Sequence, residues 1–304
     1  MELRWLLVRL SAGGVPWRAF VELTKPRVVA LMLFTVVVGM LLAPAPAASL
    51  RWPMLVFGTL GIGMVAASAA AINHLVDQRI DALMARTRSR PLPRGVLSNG
   101  QVLVFAGVLG VSGLSMLVAA TNLLCVTLTF GSLVGYAVVY SLWLKRATPQ
   151  NIVIGGAAGA APPLLGWVAV TGQIDPGAVL LFAIILLWTP PHFWALAIHR
   201  CEDYRRAAIP MLPVTHGIAF TAARIQYYTV ALFGVTLMPV AIGMSGWAYL
   251  LGAVALGAGF VGCAWRLRKD SSWAMPTFRY SIAYLSLLFA LLLADRYVTL
   301  PQLT

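Results

Sequence analysis

The sequence predicts an all-α polytopic membrane protein, first of all from its composition. Hydrophobic residues make up 60% of the 304-residue chain and charged residues only 10%, with a mean hydropathy of +0.86. A soluble domain carries roughly a quarter of its residues as charges. No charged residue lies between Arg27 and Arg51, between Arg51 and Asp77, or from Gln101 to Tyr140. Roughly 20 helical residues cross a bilayer core, so each run can span it.

Turn residues and charges divide the chain into nine apolar segments, which we expect to be nine transmembrane helices. Residues 120–122 separate the third from the fourth, and the glycine-bounded turn 243–246 separates the seventh from the eighth. The ninth contains Arg279, which can snorkel to the interface from near a helix end. The predicted segments are 28–43, 53–76, 101–119, 122–140, 151–170, 177–198, 225–242, 247–265 and 275–294.

The charges predict the orientation of these helices. With the N-terminus inside, 20 of the 22 Lys and Arg residues fall on the inner side, and only Arg51 and Arg296 fall outside. Such a bias marks the cytoplasmic side. We therefore expect a cytoplasmic N-terminal segment, residues 1–22, and an outer C-terminus. No small-residue cleavage site follows the first apolar stretch, so we expect no removed signal peptide.

Two further features exclude other kinds of site. The net charge of +13 suits nucleic acid, but the predicted helices leave no soluble surface on which basic residues could form such an interface. Cys125, Cys201 and Cys263 lack metal or redox spacing and fall in or beside apolar runs, so we interpret them as packing residues.

Two long inner segments, 77–100 and 199–224, hold almost every group capable of chemistry. Outer connections are short, and long loops in compact proteins are usually functional or disordered. We expect a single domain, residues 1–304, in which these two segments cap an active site at the cytoplasmic face.

The first segment opens with an acidic cluster. If the second helix continues to about residue 82, Asn73, Asp77 and Asp81 recur at i, i+4 and i+8 and share one face. Two carboxylates one turn apart repel each other unless a cation lies between them. Mg²⁺ fits best, because it takes oxygen ligands from one or two carboxylates and from substrate phosphates. The alternative is a solvated helix end paired with Arg79 and later arginines.

A second acidic cluster ends the sixth helix. His199 and Asp203 are again one turn apart, and Glu202 is a further candidate for the same site. The second and sixth helices therefore occupy equivalent positions in two four-helix halves, followed by a ninth helix. Two such clusters can hold metal on both sides of one diphosphate. Six basic side chains lie near these clusters: Arg86, Arg88, Arg90, Arg94, Lys145 and Arg146. They either set the orientation of the protein in the membrane or bind phosphate oxygens.

The first cluster also carries a family resemblance. Asn73, Asp77, Ile80, Asp81, Met84, Arg86, Thr87 and Arg90 follow the signature N-x-x-x-D-x-x-x-D and R-[ST]-x-x-R. This pattern resembles the UbiA-type intramembrane prenyltransferase family, whose fold is a nine-helix bundle. Three segments resemble its protohaem IX farnesyltransferase (haem O synthase) branch: 144–156 (LKRATPQNIVIGG), 190–194 (PPHFW) and 203–214 (DYRRAAIPMLPV).

The resemblance implies transfer of a farnesyl group from farnesyl diphosphate to a vinyl group of haem B, giving haem O. Haem B is then a substrate, Mg²⁺ the cofactor, and the bacterial cytoplasmic (inner) membrane the location. Downstream haem-modifying or terminal-oxidase assembly machinery is an implied partner. By matching positions, the resemblance implies that Asn73, Asp77, Asp81 and Asp203 bind the metal. It implies that the three aspartates among them are catalytic. The diphosphate-binding residues are Arg86, Arg90, Lys145 and Arg146.

The sequence departs from the quinone-making relatives at two points. Those relatives have two aspartates in the second cluster, and His199 stands in place of the first, so Asp203 is preferred for the metal side. Their tyrosine and lysine near the fourth helix are also closer together than Tyr140 and Lys145.

Histidines and aromatic residues complete the predicted site. His192 follows Pro190-Pro191, which we expect to break the sixth helix beside a cavity. A histidine there can ligate haem iron, so His192 is the first haem-binding candidate and His199 the second. Aromatic faces can stabilise a farnesyl cation or simply pack; the candidates are Tyr136, Tyr140, Trp143, Phe193 and Trp194.

Two other functions fit part of the pattern. A related enzyme would prenylate an aromatic quinone precursor with the same fold and metal chemistry. A secondary transporter would use Pro162-Pro163 and Pro190-Pro191 to interrupt helices at a midplane site. The acidic residues, however, cluster at one predicted membrane face, which favours the enzyme.

Overall fold

Long apolar helices dominate the computed structural model, which describes residues 16–44, 52–84 and 87–299. These ranges contain helices and connecting turns and no strand. A helix satisfies its backbone hydrogen bonds within one segment, which the bilayer interior requires. Of the predicted N-terminal segment, residues 1–15 lie outside the described ranges.

Within the described ranges, eight helices are long and apolar enough to cross a membrane, and a bent pair counted as one span provides a ninth. The protein is therefore a multi-pass integral membrane protein, as predicted. The helices are α1 (Pro26–Leu42), α2 (Met54–Leu83), α3 (Asn99–Ala120), α4 (Leu123–Leu144), α5 (Asn151–Thr171), α6 (Pro176–His199), α7 (Ile218–Ala241), α8 (Trp247–Lys269) and α9 (Ala274–Thr299). Short helices cover Trp17–Leu23, Lys145–Ala147, Cys201–Arg206 and Leu212–Thr215, with a 3₁₀ turn at Ser271–Trp273.

The bent pair joins Trp17–Leu23 to α1 at an angle of 52°. Pro26 is the first residue of α1, where its missing N–H costs nothing. Lys25 precedes it in the left-handed region, with φ of 50°, which is unusual for a residue other than glycine. The bend therefore fixes the backbone of Lys25 at the start of α1.

The helices enclose a central cavity. In the first half, α2 packs against α1, α3 and α4, and α5 of the second half packs against α1 and α4. In the second half, α6 packs against α5, α7 and α9, while α9 also contacts α8 and α1 and so closes the ring. The outer faces are apolar, as on α3, where Val104 and Val111 are 68% and 67% exposed. These faces suit contact with lipid.

Small residues allow α1 and α5 to approach closely. A Cβ atom added to Gly39 would overlap the carbonyl oxygen of Pro163, and one added to Gly166 would overlap that of Val36. The two backbones are thus in direct contact, and this crossing fixes the wall between the two halves.

Some predicted boundaries were wrong. Helix α2 runs on to Leu83, as the acidic spacing required, and α7 begins at Ile218, seven residues earlier than predicted. Hydropathy alone misses such ends, because helices extend beyond the apolar core. The loop 199–224 also contains two short helices.

The predicted break at Pro190-Pro191 does not occur, since both prolines lie inside the continuous helix α6. The two prolines lack backbone N–H groups, so two helical hydrogen bonds are missing there. Helix α6 nevertheless stays continuous, because it packs against several neighbouring helices. The cysteine interpretation is consistent with the structure: Cys125, Cys201 and Cys263 are free thiols, and Cys125 is fully buried.

Candidate active site

The acidic face of α2 forms a buried polar cluster. Asn73, Asp77 and Asp81 are each no more than 4% exposed. The Nδ2 atom of Asn73 donates to Oδ2 of Asp77 over 3.0 Å, so the predicted spacing does bring these side chains onto one face. The alternative of a solvated helix end is contradicted because all three residues are buried, although Asp81 does pair with a later arginine, Arg90.

Two lysines from other helices reach this cluster. Lys145, directly after α4, donates to Oδ2 of Asp77 over 2.6 Å. Lys25 donates to Oδ1 of Asn73 over 2.7 Å, so its strained backbone aims a cation at the site. The start of α1 and the ends of α2 and α4 therefore meet at one end of the bundle.

The loop after α2 folds back onto Asp81. The Nη1 atom of Arg90 lies 2.7 Å from Oδ2 of Asp81. Thr87 donates from its hydroxyl to the backbone carbonyl of Asp81 over 3.0 Å. Thr87 and Arg90 of the signature thus hold the loop beside the second aspartate. Arg86 lies outside the described residues.

The cluster has the donor set of a magnesium site. Asp77 Oδ1 is buried and accepts no hydrogen bond from any residue that the structure describes. A buried carboxylate oxygen without a donor is costly unless a cation takes that place. Within the described ranges, no three Asp, Glu, His or Cys side chains converge as a complete metal cage. Mg²⁺ often takes only one or two carboxylates and completes its shell with substrate phosphates and water, so the residues fit that ion.

The second acidic cluster lies on the short helix Cys201–Arg206. Asp203 is partly buried, with its Oδ2 3.7 Å from Nη1 of Arg200. Glu202 is exposed and pairs instead with Arg205 and Arg206. His199, the last residue of α6, is exposed. Of the candidates in this cluster, Asp203 is therefore the least exposed.

An apolar cavity of about 640 Å³ is linked to the polar cluster through Lys25, which lines the cavity and bonds to Asn73, whereas Asp77 and Asp81 are not among its lining residues. Lys25, Tyr136 and Tyr140 line one end, and Thr35, Ile62 and Leu165 line its deeper part. Ten helical residues separate Lys25 from Thr35, which corresponds to about 15 Å of depth. The cavity therefore places a long apolar space behind a cationic entrance.

The structure separates the aromatic candidates. Tyr136 and Tyr140 stack on each other at 5.4 Å between ring centroids and line the cavity together with Phe193. Trp194 is 1% exposed and packs against Tyr228. Trp143 is 67% exposed and does not line the cavity. Trp194 therefore packs in the core and Trp143 lies on the outer surface, so that of the five candidates the other three can face a substrate.

His192 lines the cavity beside Phe193. Its ring stacks between Trp188, at 4.2 Å, and Phe278, at 4.6 Å. Its Nδ1 atom lies 2.7 Å from the hydroxyl of Ser281 on α9. Although α6 is unbroken, the expected histidine at a cavity wall is present.

Two residues at the start of α5, Asn151 and Gly155, contact residues of this site. The Nδ2 atom of Asn151 donates to the carbonyl oxygen of Lys145 over 3.2 Å and so supports the lysine backbone. A Cβ atom on Gly155 would overlap the ring of Tyr140. Both residues therefore position groups at the cavity entrance. The side chain of Arg146 lies outside the described residues.

Sequence reasoning missed several residues of the polar cluster. Lys25 contributes to the predicted charge bias, but no motif connects it with Asn73. Ser141, fully buried, accepts a 3.1 Å hydrogen bond from Asn73, and no motif indicated it. His74 is 2% exposed, and neither ring nitrogen has a hydrogen-bond partner among the described residues.

Comparison with known proteins agrees with this geometry. The profile of the UbiA prenyltransferase family matches residues 32–293. The chain is 60% identical over 285 residues to the protein named protoheme IX farnesyltransferase of Azoarcus sp., covering 93% of this chain and 95% of the relative.

Solved structures share the fold. A UbiA homologue from Aeropyrum pernix has a TM-score of 0.73 at 18% identity, covering 89% of this chain and 98% of its own. A UbiA homologue from Archaeoglobus fulgidus, bound to GPP and Mg²⁺, has a TM-score of 0.60 at 15% identity, covering 90% of this chain and 99% of its own.

Proposed function

The chain belongs to the UbiA prenyltransferase family, and on this premise we propose that it transfers the farnesyl group of farnesyl diphosphate to a vinyl group of haem B. The observation that carries this proposal is a buried cluster of carboxylates and cations that Lys25 joins to a large apolar cavity. A diphosphate suits the first part and a prenyl chain suits the second. The relative named protoheme IX farnesyltransferase, which is matched over 93% of this chain and 95% of its own, supports haem B as the acceptor.

Asn73, Asp77, Asp81 and Asp203 are the residues that would hold Mg²⁺. Asp77 is the strongest of them, because its Oδ1 atom is buried without a donor. When bound, the ion neutralises charge on the departing diphosphate. The homologue with GPP and Mg²⁺ supports a divalent ion in this fold.

Arg90 and Lys145, with Arg86 and Arg146, would bind the diphosphate oxygens. Arginine forks bind phosphate oxygens in pairs, whereas lysine acts as a point charge. Lys25 joins this group as an addition, because it lies at the same end of the cavity and contacts Asn73.

The cavity protects the reacting centre. The bond between the farnesyl C1 carbon and the diphosphate oxygen breaks, and both electrons leave with oxygen. The vinyl π electrons then form the new carbon–carbon bond, and water adds to the remaining cation beside the porphyrin ring with loss of a proton. Tyr136, Tyr140 and Phe193 can stabilise positive charge through their faces, while the apolar walls limit earlier attack by water.

His192 is the first candidate for contact with haem B, since it lines the cavity, and His199 at the exposed end of α6 is the second. Because bond formation takes place at a vinyl group, iron coordination by His192 serves to position the substrate. Haem B is thus bound as a substrate and leaves as haem O.

The distribution of charge supports an active site at the cytoplasmic face of a bacterial inner membrane, with the N-terminus inside and the C-terminus outside. Segments 77–100 and 199–224 would cap that site within one domain. Haem O released there would pass to downstream haem-modifying or terminal-oxidase assembly machinery.

The two alternatives have less support. A quinone-precursor prenyltransferase would share the metal site. However, the relative that is 60% identical to this chain is named protoheme IX farnesyltransferase, which favours haem as the acceptor. A transporter would place its polar residues near the midplane, whereas Asp77 and Asp81 lie in the last third of α2 and Asn73 lies directly before it.

The proposal is tested by incubating purified protein with farnesyl diphosphate, Mg²⁺ and either haem B or 4-hydroxybenzoate. We expect farnesylated haem from the first acceptor and no product from the second, with loss of product when a chelator removes the ion. Product from 4-hydroxybenzoate alone would contradict the proposed acceptor.

A further inference from the structure

The hydroxyl group of Ser281 links α9 to the histidine of the cavity. Ser281 is fully buried, and its Oγ atom donates to the carbonyl oxygen of Phe278 over 2.6 Å. The same Oγ lies 2.7 Å from Nδ1 of His192. A serine hydroxyl has one hydrogen, which is already donated to Phe278, so the contact with His192 requires Nδ1 to be the donor.

This arrangement determines the tautomer of His192. In the neutral ring one nitrogen carries the proton and the other carries a lone pair. With the proton on Nδ1, the lone pair is on Nε2. Trp188 and Phe278 hold the two faces of the ring, so the ring cannot turn freely to exchange its nitrogens.

Trp188 supports the same arrangement from α6. Its indole Nε1 donates to the backbone carbonyl of Ser281 over 2.8 Å. Ser281 is therefore held through its backbone by Trp188 and through its hydroxyl by Phe278. An ordinary helical serine also bonds to a carbonyl one turn earlier, but that bond alone does not place a hydroxyl against a ring on another helix.

We propose that Ser281 is a positioning residue that holds His192 with its Nε2 lone pair available to the iron of haem B. Ser281 does not itself line the cavity, so it acts through the imidazole. The inference rests on the proposed function, in which haem B is the acceptor. A partner on the second nitrogen commonly fixes the tautomer and orientation of a metal-binding histidine, and its removal typically lowers metal affinity 10- to 100-fold.

The test is an optical titration of the purified protein with haem B. We expect Ser281→Ala to weaken haem B binding about 10-fold or more and to shift the Soret band toward that of His192→Ala. Ser281→Thr keeps the hydroxyl and should restore the wild-type band. Ser281→Cys, similar in size but a weak acceptor, should behave like Ser281→Ala and serves if the alanine variant does not fold.

A second measurement separates this inference from the proposed function. Binding of farnesyl diphosphate with Mg²⁺ should stay unchanged in Ser281→Ala, because Ser281 makes no contact with the Asp77 cluster. A wild-type Soret band and haem affinity in Ser281→Ala and Ser281→Cys would overturn the role of Ser281 while leaving haem as the acceptor. If the wild-type protein bound no haem B, both the acceptor and this inference would fail.

Discussion

The two carboxylate oxygens of Asp77 have different surroundings. Oδ2 accepts hydrogen bonds from Lys145 and Asn73, whereas Oδ1 is buried and has no donor among the described residues. One oxygen therefore anchors the side chain, and the other is the one on which the proposed metal role rests. The spacing in the sequence predicted the shared face, but only the packing shows this division.

Asp77→Asn tests the role of that free oxygen. The amide keeps the shape of the side chain but removes the negative charge, so we expect turnover to fall at least about 100-fold, a loss of several kcal/mol in charge stabilisation. Release of diphosphate measures the effect. The matched control, Asp270→Asn, alters an exposed carboxylate bonded to Ser272 and should retain full activity. Full turnover in Asp77→Asn would contradict the hypothesis that Asp77 binds the catalytic Mg²⁺.

Two arginines of the same loop provide a second comparison. Arg90 bonds to Asp81, whereas Arg94 is exposed. A hydrogen bond to a charged group contributes about 1.5–3 kcal/mol, so Arg90→Gln should lower kcat/KM for farnesyl diphosphate about 10- to 100-fold. Arg94→Gln should change it little. Equal losses in the two variants would show that general positive charge, not the position of Arg90, matters.

At the scale of elements, helix α4 shows how the wide spacing of Tyr140 and Lys145 still brings both residues to the site. Residues Gly135–Leu144 form a π-helix, in which hydrogen bonds run from i to i+5. Residues five apart then lie about one turn apart, so the wider spacing still brings Tyr140 to the cavity and Lys145 to Asp77. A search for the α-helical period misses this, because a π-helix changes the period.

The crossing of α1 and α5 leads to a prediction about stability. Gly166→Ala would press a methyl group against the backbone of Val36, and overpacking of this kind costs about 1–3 kcal/mol. We expect a lower thermal unfolding temperature in detergent. Gly107→Ala on α3 meets no atom within 4 Å and should be neutral or slightly stabilising, since alanine favours helix more than glycine. Equal unfolding temperatures for the two variants would contradict a close backbone contact at Gly166.

At the scale of the whole molecule, hydropathy was sufficient to predict the number and approximate position of the spans, though not their ends, because apolar length is what a bilayer selects. Spacing predicted the part of the site that shares one helix, Asn73, Asp77 and Asp81, whereas Arg90 and Lys145 were predicted through the family resemblance. Lys25, Ser141 and Ser281 come from distant parts of the chain, and their roles depend on which helices pack together. Neither the cavity nor the tautomer of His192 follows from spacing.

The predicted orientation is tested by cysteine labelling with a membrane-impermeant maleimide in a Cys201→Ser background. Ile174 is half exposed in the turn between α5 and α6. The cysteine of an Ile174→Cys variant should therefore react with the maleimide in intact cells. Arg94→Cys, on the predicted cytoplasmic side, should react only after permeabilisation. The reverse pattern would place the polar cluster outside the cell.

The ion pairs of the polar cluster have a consequence for how the two ligands bind. Lys145 and Arg90 are bonded to Asp77 and Asp81, so a phosphate group must compete with a carboxylate for each cation. A metal ion on Asp77 weakens that competition, and a diphosphate in turn supplies oxygens to the metal. Each ligand should therefore raise the affinity for the other by the same factor, a coupling free energy shared between them. The enzyme would then bind its prenyl donor tightly only together with the ion needed to activate it.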